Sequence, residues 1–151
     1  VPGPRAGHIS TTADWGVTKN SREDTSGTTV SPSFVETLTG GIACAQTFVA
    51  PPSGMVQVVN TAQMSNASAT QTSLMSFVIR EGGTIGSGTA FWAASDDDSL
   101  RNVGTNAFQG TYSVVIEGLV GGNTYNIRQA FRGSGATAAS FSRKRLAVIP
   151  V

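Results

Sequence analysis

The chain has almost none of the residues that carry out chemistry. Its 151 residues include one cysteine, Cys44, and one histidine, His8. A single cysteine excludes an intrachain disulfide and any multi-cysteine metal site. Charge is scarce too: 13% of residues are charged and the net is +1, which excludes nucleic-acid binding by bulk electrostatics. No apolar run approaches the roughly 18 residues of a membrane-spanning helix, so no membrane partner is expected. Residues 1–20 also lack the apolar stretch of a secretory signal. Leucine is sparse, and no window of helical length shows a 3.6-residue period. What remains is rich in Gly, Ser and Thr, a composition of short strands and turns. At 39% hydrophobic, the chain is long enough to bury one real core.

The strand signal is clearest towards the C-terminus. Tyr112, Val114 and Ile116 alternate with Thr111, Ser113 and Glu117, and Tyr125, Ile127 and Phe131 alternate with Asn126, Arg128 and Arg132. Alternation of this kind marks half-buried strands. The connector Gly118-Leu119-Val120-Gly121-Gly122-Asn123 is a turn cluster. Pro51-Pro52-Ser53-Gly54 makes a second sharp turn. Strands are expected at 33–39, 42–49, 55–64, 73–81, 89–94, 108–118, 124–132 and 140–148. Short strands at this spacing predict an all-β, antiparallel two-sheet β-sandwich, either jelly-roll-like or immunoglobulin-like.

Residues 1–32 differ from the rest. Val1-Pro2-Gly3-Pro4-Arg5-Ala6-Gly7 disfavours helix and central strand, and 18–32 is a polar run. The sequence therefore predicts an extended N-terminal arm, 1–32, with at most a short strand near 8–12, followed by a sandwich domain, 33–151. Ile9, Trp15 and Val17 are spaced to anchor that arm on a partner protein. Val1 fits a processed end, a cut end or a GTG start equally well.

The search for chemistry finds little. His8 lies in the expected arm, away from any preorganised triad. Cys44 sits in an apolar run and reads as a small buried hydrophobe. Asp96-Asp97-Asp98 lacks the alternate spacing of a calcium loop and reads as a solvated turn. The glycine-rich stretch 82–89 has no P-loop lysine and no following helix, so a hairpin connection is expected. Asn66-Ala67-Ser68 matches a glycosylation sequon without a secretory context. Trp15, Phe91 and Trp92 could form a sugar-stacking platform, with core packing the default for Trp92. No enzyme activity, metal or cofactor is expected.

Two features point to assembly. The stretch 73–81 is apolar on both faces, with Met75, Phe77 and Ile79 opposing Leu74 and Val78. Such a strand is either central and covered twice, or buried against a neighbouring subunit. Arg143-Lys144-Arg145 beside Arg128 and Arg132 predicts a basic patch that acidic groups of another subunit would oppose. Leu74, Val78, Arg128, Arg143 and Arg145 are therefore the candidate subunit-interface residues of a homotrimer.

The run Gln46-Thr47-Phe48-Val49-Ala50-Pro51-Pro52-Ser53-Gly54-Met55-Val56 resembles small β-sandwich virion proteins of tailed bacteriophages that infect actinobacteria. The resemblance continues through Arg80-Glu81-Gly82 and Tyr125-Asn126-Ile127-Arg128 to Phe141-Ser142-Arg143-Lys144-Arg145-Leu146, covering residues 46–149. It implies a trimeric virion component, assembled in the bacterial host. If the chain is a whole gene product, its size favours a capsid decoration protein bound to the major capsid protein or another virion protein. A tail-fibre or minor tail domain recognising host surface glycans is the alternative. The segment ending Tyr125-Asn126-Ile127-Arg128 also resembles a fibronectin type III strand pair, so a secreted fibronectin-like or carbohydrate-binding module is a further reading.

Overall fold

The computed structural model describes residues 17–151, which form ten strands and no helix. In chain order these are β1 (Lys19–Glu23), β2 (Gly27–Thr29), β3 (Ala45–Val49), β4 (Val56–Asn66) and β5 (Thr72–Glu81). They continue with β6 (Ala90–Trp92), β7 (Leu100–Val103), β8 (Phe108–Ile116), β9 (Thr124–Gly133) and β10 (Ala139–Pro150). The first sheet runs β1-β10-β4-β8, with β2 following β1 along the same side of β10. The second runs β3-β9-β5-β6, with β7 beside β6 on β5. All pairings are antiparallel. Counting β1/β2 and β6/β7 as one broken strand each turns ten strands into eight, ordered 1-8-3-6 and 2-7-4-5. That order is a jelly roll, and it settles the choice against an immunoglobulin-like sandwich.

Alternation places the core. Along β4 buried and half-buried residues alternate from Val56 to Asn66 without a break. One apolar lobe gathers Phe48, Phe77, Ile79, Tyr125, Ile127, Leu146 and Val148; the other gathers Met64, Met75, Leu100, Phe131 and Phe141. Phe48 stacks on Tyr125 with centroids 5.8 Å apart, and Phe131 meets Phe141 at 4.8 Å. Each large side chain removed from water in this way contributes about 1.5–3 kcal/mol. The Pro51–Gly54 turn closes through Gly54 N–H to Pro51 O (2.9 Å). Gly54 is required there, since its φ is +69° and a Cβ would lie 2.5 Å from the Leu119 carbonyl.

A polar bridge separates the two lobes. Gln129 on β9 is fully buried; its Oε1 accepts from Cys44 N–H (3.1 Å) and its amide donates to Asn60 Oδ1 (2.8 Å) and Arg145 O (3.0 Å). Asn60, on β4 of the opposite sheet, donates in turn to Ser76 O (3.1 Å). The Arg145 carbonyl sits beside a β-bulge, where the β10–β4 register slips between Ser142 and Arg145. Arg143 takes φ +48° at this point. The bulge interrupts the ladder, and Gln129 reaches across the core to the carbonyl next to it.

Three expectations change. The stretch 19–29 belongs to the sandwich as β1 and β2 on β10, so the boundary at 32 falls after strands of the first sheet; Ile9, Trp15 and the short strand near 8–12 lie outside the described residues. The stretch 33–39 is not a strand and touches the sheets through isolated bridges, Val35 to Phe131 and Thr39 to Thr28. The two-sided apolar strand β5 is central, between β9 and the β6/β7 pair. Its outward Leu74 is only 2% exposed within this one chain. No second subunit is needed to bury it.

Replacing Gln129 by Leu keeps the volume but strands Cys44 N–H, Asn60 Oδ1 and Arg145 O. We expect a loss of about 3 kcal/mol or more in urea denaturation. Substituting Asn60 by Leu in the same protein should cost less than the two single losses added together, because both belong to one network.

Candidate interaction surfaces

Along β4 and β8 the outer face of the first sheet carries no charged residue; Arg22, Arg143 and Arg145 lie on β1 and β10 at its other side. Register aligns Ile149, Gln57 and Val115 across β10, β4 and β8, then Ala147, Val59 and Ser113, then Arg145, Thr61 and Thr111, then Ser142, Gln63 and Gln109. Gln57 donates to Ser113 Oγ (2.7 Å), and the Thr61 and Thr111 hydroxyls lie 2.9 Å apart, so these four polar groups are paired within the face. Arg145 is the one charge in these rows. Its guanidinium donates to Asp24 (2.8 Å), which also accepts from Arg22 (2.7 Å). The two guanidiniums hold the Asp24 carboxyl at about 2. The face ends at β8, nine residues long, with no proline and no charged residue and no strand on its far side among the described residues. Phe108 and Val115 on this edge are 58% and 47% exposed.

The second sheet presents the opposite surface, crossed by loops that ion pairs tie down. Arg80 on β5 donates to both oxygens of Glu36 (2.6 and 2.5 Å), and Arg128 on β9 adds Nε to Oε1 at 3.2 Å. The Arg80 guanidinium beside it is the main reason the Glu36 carboxyl lies below its usual value, against the opposing effect of burial. Arg132 pairs with Asp96, and its guanidinium lies over the Phe34 ring, 5.5 Å from the centroid. Arg132 stands opposite Leu74 in register, so the Phe34 and Asp96 segments gather on the side to which Leu74 points. Ser76 Oγ donates to Asp98 O (2.8 Å) and accepts from Ser95 N–H (3.3 Å), fixing the same loop.

The glycine-rich stretch is the hairpin connection between β5 and β6, with a register shift at Ile79/Arg80. Buried Asn126 organises it: Nδ2 donates to Gly82 O and Ser87 O (both 3.0 Å), and Oδ1 accepts from Gly86 N–H (3.0 Å). Gly88 has φ +102°, and a Cβ there would lie 1.9 Å from Glu81 O. Beside this loop lies a cleft of about 370 Å³ lined by Glu36, Leu38, Ile42, Ala43, Ile85 and Arg128 among others.

The structure separates the residues expected to form one interface. Leu74, Val78 and Arg128 lie on the second sheet, whereas Arg143 and Arg145 lie on the first. Consecutive strands β9 and β10 belong to different sheets, so the basic patch does not form. Within it, Lys144 turns inward and is fully buried, donating to Thr25 O (2.7 Å). Burial pushes its ammonium below the ordinary lysine value. Val17 is 48% exposed, ahead of β1. Cys44 is buried, and burial pushes its thiol up. Asp96 pairs with Arg132, and Asp98 accepts from Tyr112 Oη (3.0 Å) and Ser95 Oγ (3.1 Å). Asn66 is 3% exposed and its Oδ1 accepts from Thr137 Oγ1 (2.6 Å), which closes the sequon to modification. Phe91 and Trp92 pack against the core, Phe91 edge-on to Tyr125, and form no sugar platform. Sequence reasoning missed Glu36. Its spacing from Arg80 and Arg128 gives no local signal, since the three meet only through the topology.

No family model matches the chain, and no curated protein matches it. Among solved structures it is similar to Eiger TNF from S. frugiperda at 7% identity, over 89% of this chain and 92% of that one, with a TM-score of 0.48. The CBM22-1 xylan-binding domain of Paenibacillus barcinonensis Xyn10C is similar at 6% identity, over 83% of each chain, with a TM-score of 0.38. The enzymatically active domain of bacteriophage CBA120 tailspike protein 4 is similar at 18% identity, with a TM-score of 0.36; 91% of this chain matches 20% of that one. These likenesses are too distant to add to what the strand order itself establishes.

Glu36→Gln leaves Arg80 and Arg128 facing each other and should cost about 2 kcal/mol near neutral pH. Because the folded carboxyl titrates below its ordinary value, its contribution is present above that value and is lost as pH falls through the folded one. The gap between parent and variant in urea denaturation should therefore narrow between about pH 7 and pH 3. Lys144→Met should be at least as stable as the parent at neutral pH, since it removes a buried charge with no ion pair among the described residues. The unfolded state holds the Lys144 proton more tightly, so this group's share of parental stability rises with pH between the lowered folded value and the ordinary one. The advantage of the Met variant should shrink between about pH 8 and pH 10. The raised Cys44 and Tyr112 act in the opposite sense, but both proteins contain them.

Proposed function

We propose that this chain is a non-enzymatic structural subunit that works by docking. The outer face along β4 and β8, two strands without a charged residue, and the β8 edge form the contact surface of a homotrimer. The observation that carries the reading is the β8 edge itself: nine residues with neither charge nor proline, beside a β4 strand that also has no charge, the charges of the sheet lying on β10 and β1 at its far side. Solvent-facing edge strands are ordinarily blunted by lysine, proline or bulges, because an open ladder invites pairing with other chains. An edge without these devices is suited to being covered. Depletion of charge likewise marks the centre of protein interfaces.

The setting that fits is a bacteriophage particle, as the resemblance of residues 46–149 to small virion sandwiches implies. Within it the chain is assigned to capsid decoration, with the major capsid protein as partner and the stretch ahead of β1, including Ile9 and Trp15, as the attachment segment. A glycan-binding fibre tip or carbohydrate-binding module is less well supported, since Phe91 and Trp92 are committed to the core.

Light scattering on the purified protein should give about three times the chain mass of 15.5 kDa. Ser113→Lys and Val115→Lys, on exposed outward positions of β8, should yield folded monomers with unchanged far-ultraviolet dichroism. Thr47→Lys, on the exposed side of β3 in the other sheet, should remain trimeric. A parent protein that stays monomeric across micromolar concentrations would sink the assignment, as would β8 variants that remain trimeric.

A further inference from the structure

The geometry points to the cleft beside the glycine-rich loop as a binding site for a small organic carboxylate with a compact aliphatic body. Its polar element is Arg128, which rises from β9 with its side chain 28% exposed. Nε is engaged by Glu36, whereas the two terminal nitrogens donate to no group among the described residues. Glu36 is already satisfied by Arg80 through both oxygens, so the cluster of two guanidiniums and one carboxylate carries a net positive charge. A planar guanidinium with two free donors matches a carboxylate bidentately.

The guanidinium is held in place before any ligand arrives. Gly86 lies directly against it, close enough that a Cβ at that position would sit 3.1 Å from Nη1 and 3.3 Å from Nη2. Asn126 fixes the loop carrying Gly86 through the bonds described above. Little ordering remains to be supplied on binding. Apart from Glu36 and Thr37 the rest of the lining is apolar, with Leu38 and Ala43 in the wall and Ile42 and Ile85 standing 63% and 43% exposed. Such walls disfavour inorganic phosphate or sulfate, whose surface is polar throughout, and the positive cluster repels ammonium groups. A volume of about 370 Å³ suits a molecule with a carboxylate and a branched or cyclic body. The site is on the sheet opposite the proposed trimer contact, so either assignment can fail without the other.

The test is a titration of the full chain with 3-methylbutanoate, followed by proton–nitrogen correlation spectra, with 3-methylbutanamide as the neutral isostere. The carboxylate should shift the amides of Ala43, Ala45 and Gly86 and the Arg128 Nε–H, saturating at about 1 mM. The isostere should bind at least about tenfold more weakly. Arg128→Gln should abolish the shifts. Because that change also loosens the Glu36 cluster, Ile85→Glu gives an independent check. It leaves the ion pairs intact, sets a carboxylate at the mouth of the cleft, and should weaken binding by about tenfold or more. Equal binding of acid and amide, no shifts at tens of millimolar, or unaltered binding to the Ile85→Glu protein would each overturn the assignment.

Discussion

The buried bond between Gln129 and Asn60 is the constraint around which the sandwich is arranged. A jelly roll of this length could carry a continuous apolar core, yet two amides are set between its sheets. They are there because β10 contains one residue more than its neighbour β4 can match. The extra residue breaks the ladder and turns Lys144 inward, and the Gln129 amide reaches the carbonyl of Arg145. The same slip explains why β10 is flanked by two short strands instead of one. Glu23 pairs with Lys144 and Gly27 with Phe141, so the chain between them must leave the ladder, and Asp24 O instead accepts from Arg143 N–H (3.3 Å). Thr25, in that detour, supplies the acceptor for the buried lysine. An unsatisfied amide in this position would cost more than the bridge contributes, so these parts depend on one another.

The few charges are distributed just as unevenly. On the second sheet Arg80, Arg128 and Arg132 each hold an acidic group on a connecting segment, Glu36 or Asp96. Such half-buried pairs add modestly to stability and fix geometry, here that of loops over an otherwise smooth sheet. The first sheet has no such posts along β4 and β8. Among the described residues no ion pair ties a connecting segment across those two strands.

Much of the architecture was legible in the sequence, because burial on one side of a strand imposes alternation. Tyr112, Val114 and Ile116 on β8, and Tyr125, Ile127 and Phe131 on β9, turn towards the core as the pattern requires. The sandwich and the turn at Pro51–Gly54 followed from that pattern and from turn chemistry. The edges did not. Strand β1 reads Lys-Asn-Ser-Arg-Glu and is held to β10 by backbone bonds, so it has no apolar period to detect. Strand β7 is four residues with Arg101 and Asn102 at its middle. In the opposite direction, Phe34, Val35 and Leu38 imitate a strand although the segment meets its sheet at one bridge, through Val35. Leu74 and Val78 were read as an interface because periodicity reports that a face is covered, not by what. The Glu36 cluster, with partners 44 and 92 residues away, could not be read at all.

The contrast between the two sheets bears directly on how such a subunit could be used. The outer edge of the second sheet is β3, five residues long, and the bridge from Val35 to β9 continues that side of the strand. The other outer edge is broken into β6 and β7, with the 95–98 loop pinned to Ser76 between them. Short or interrupted edges offer little ladder for another chain to extend. On the first sheet, β1 and β2 similarly cap β10 with a broken edge bearing Lys19, Arg22 and Glu23. Strand β8 departs from this rule, being long, regular and uncharged, and it borders the face that no loop is tied across among the described residues. Protection at three edges and its omission at the fourth, among the described residues, is how a sandwich would direct association to one side. Association through β8 would leave the charged cleft on the opposite sheet open to solvent.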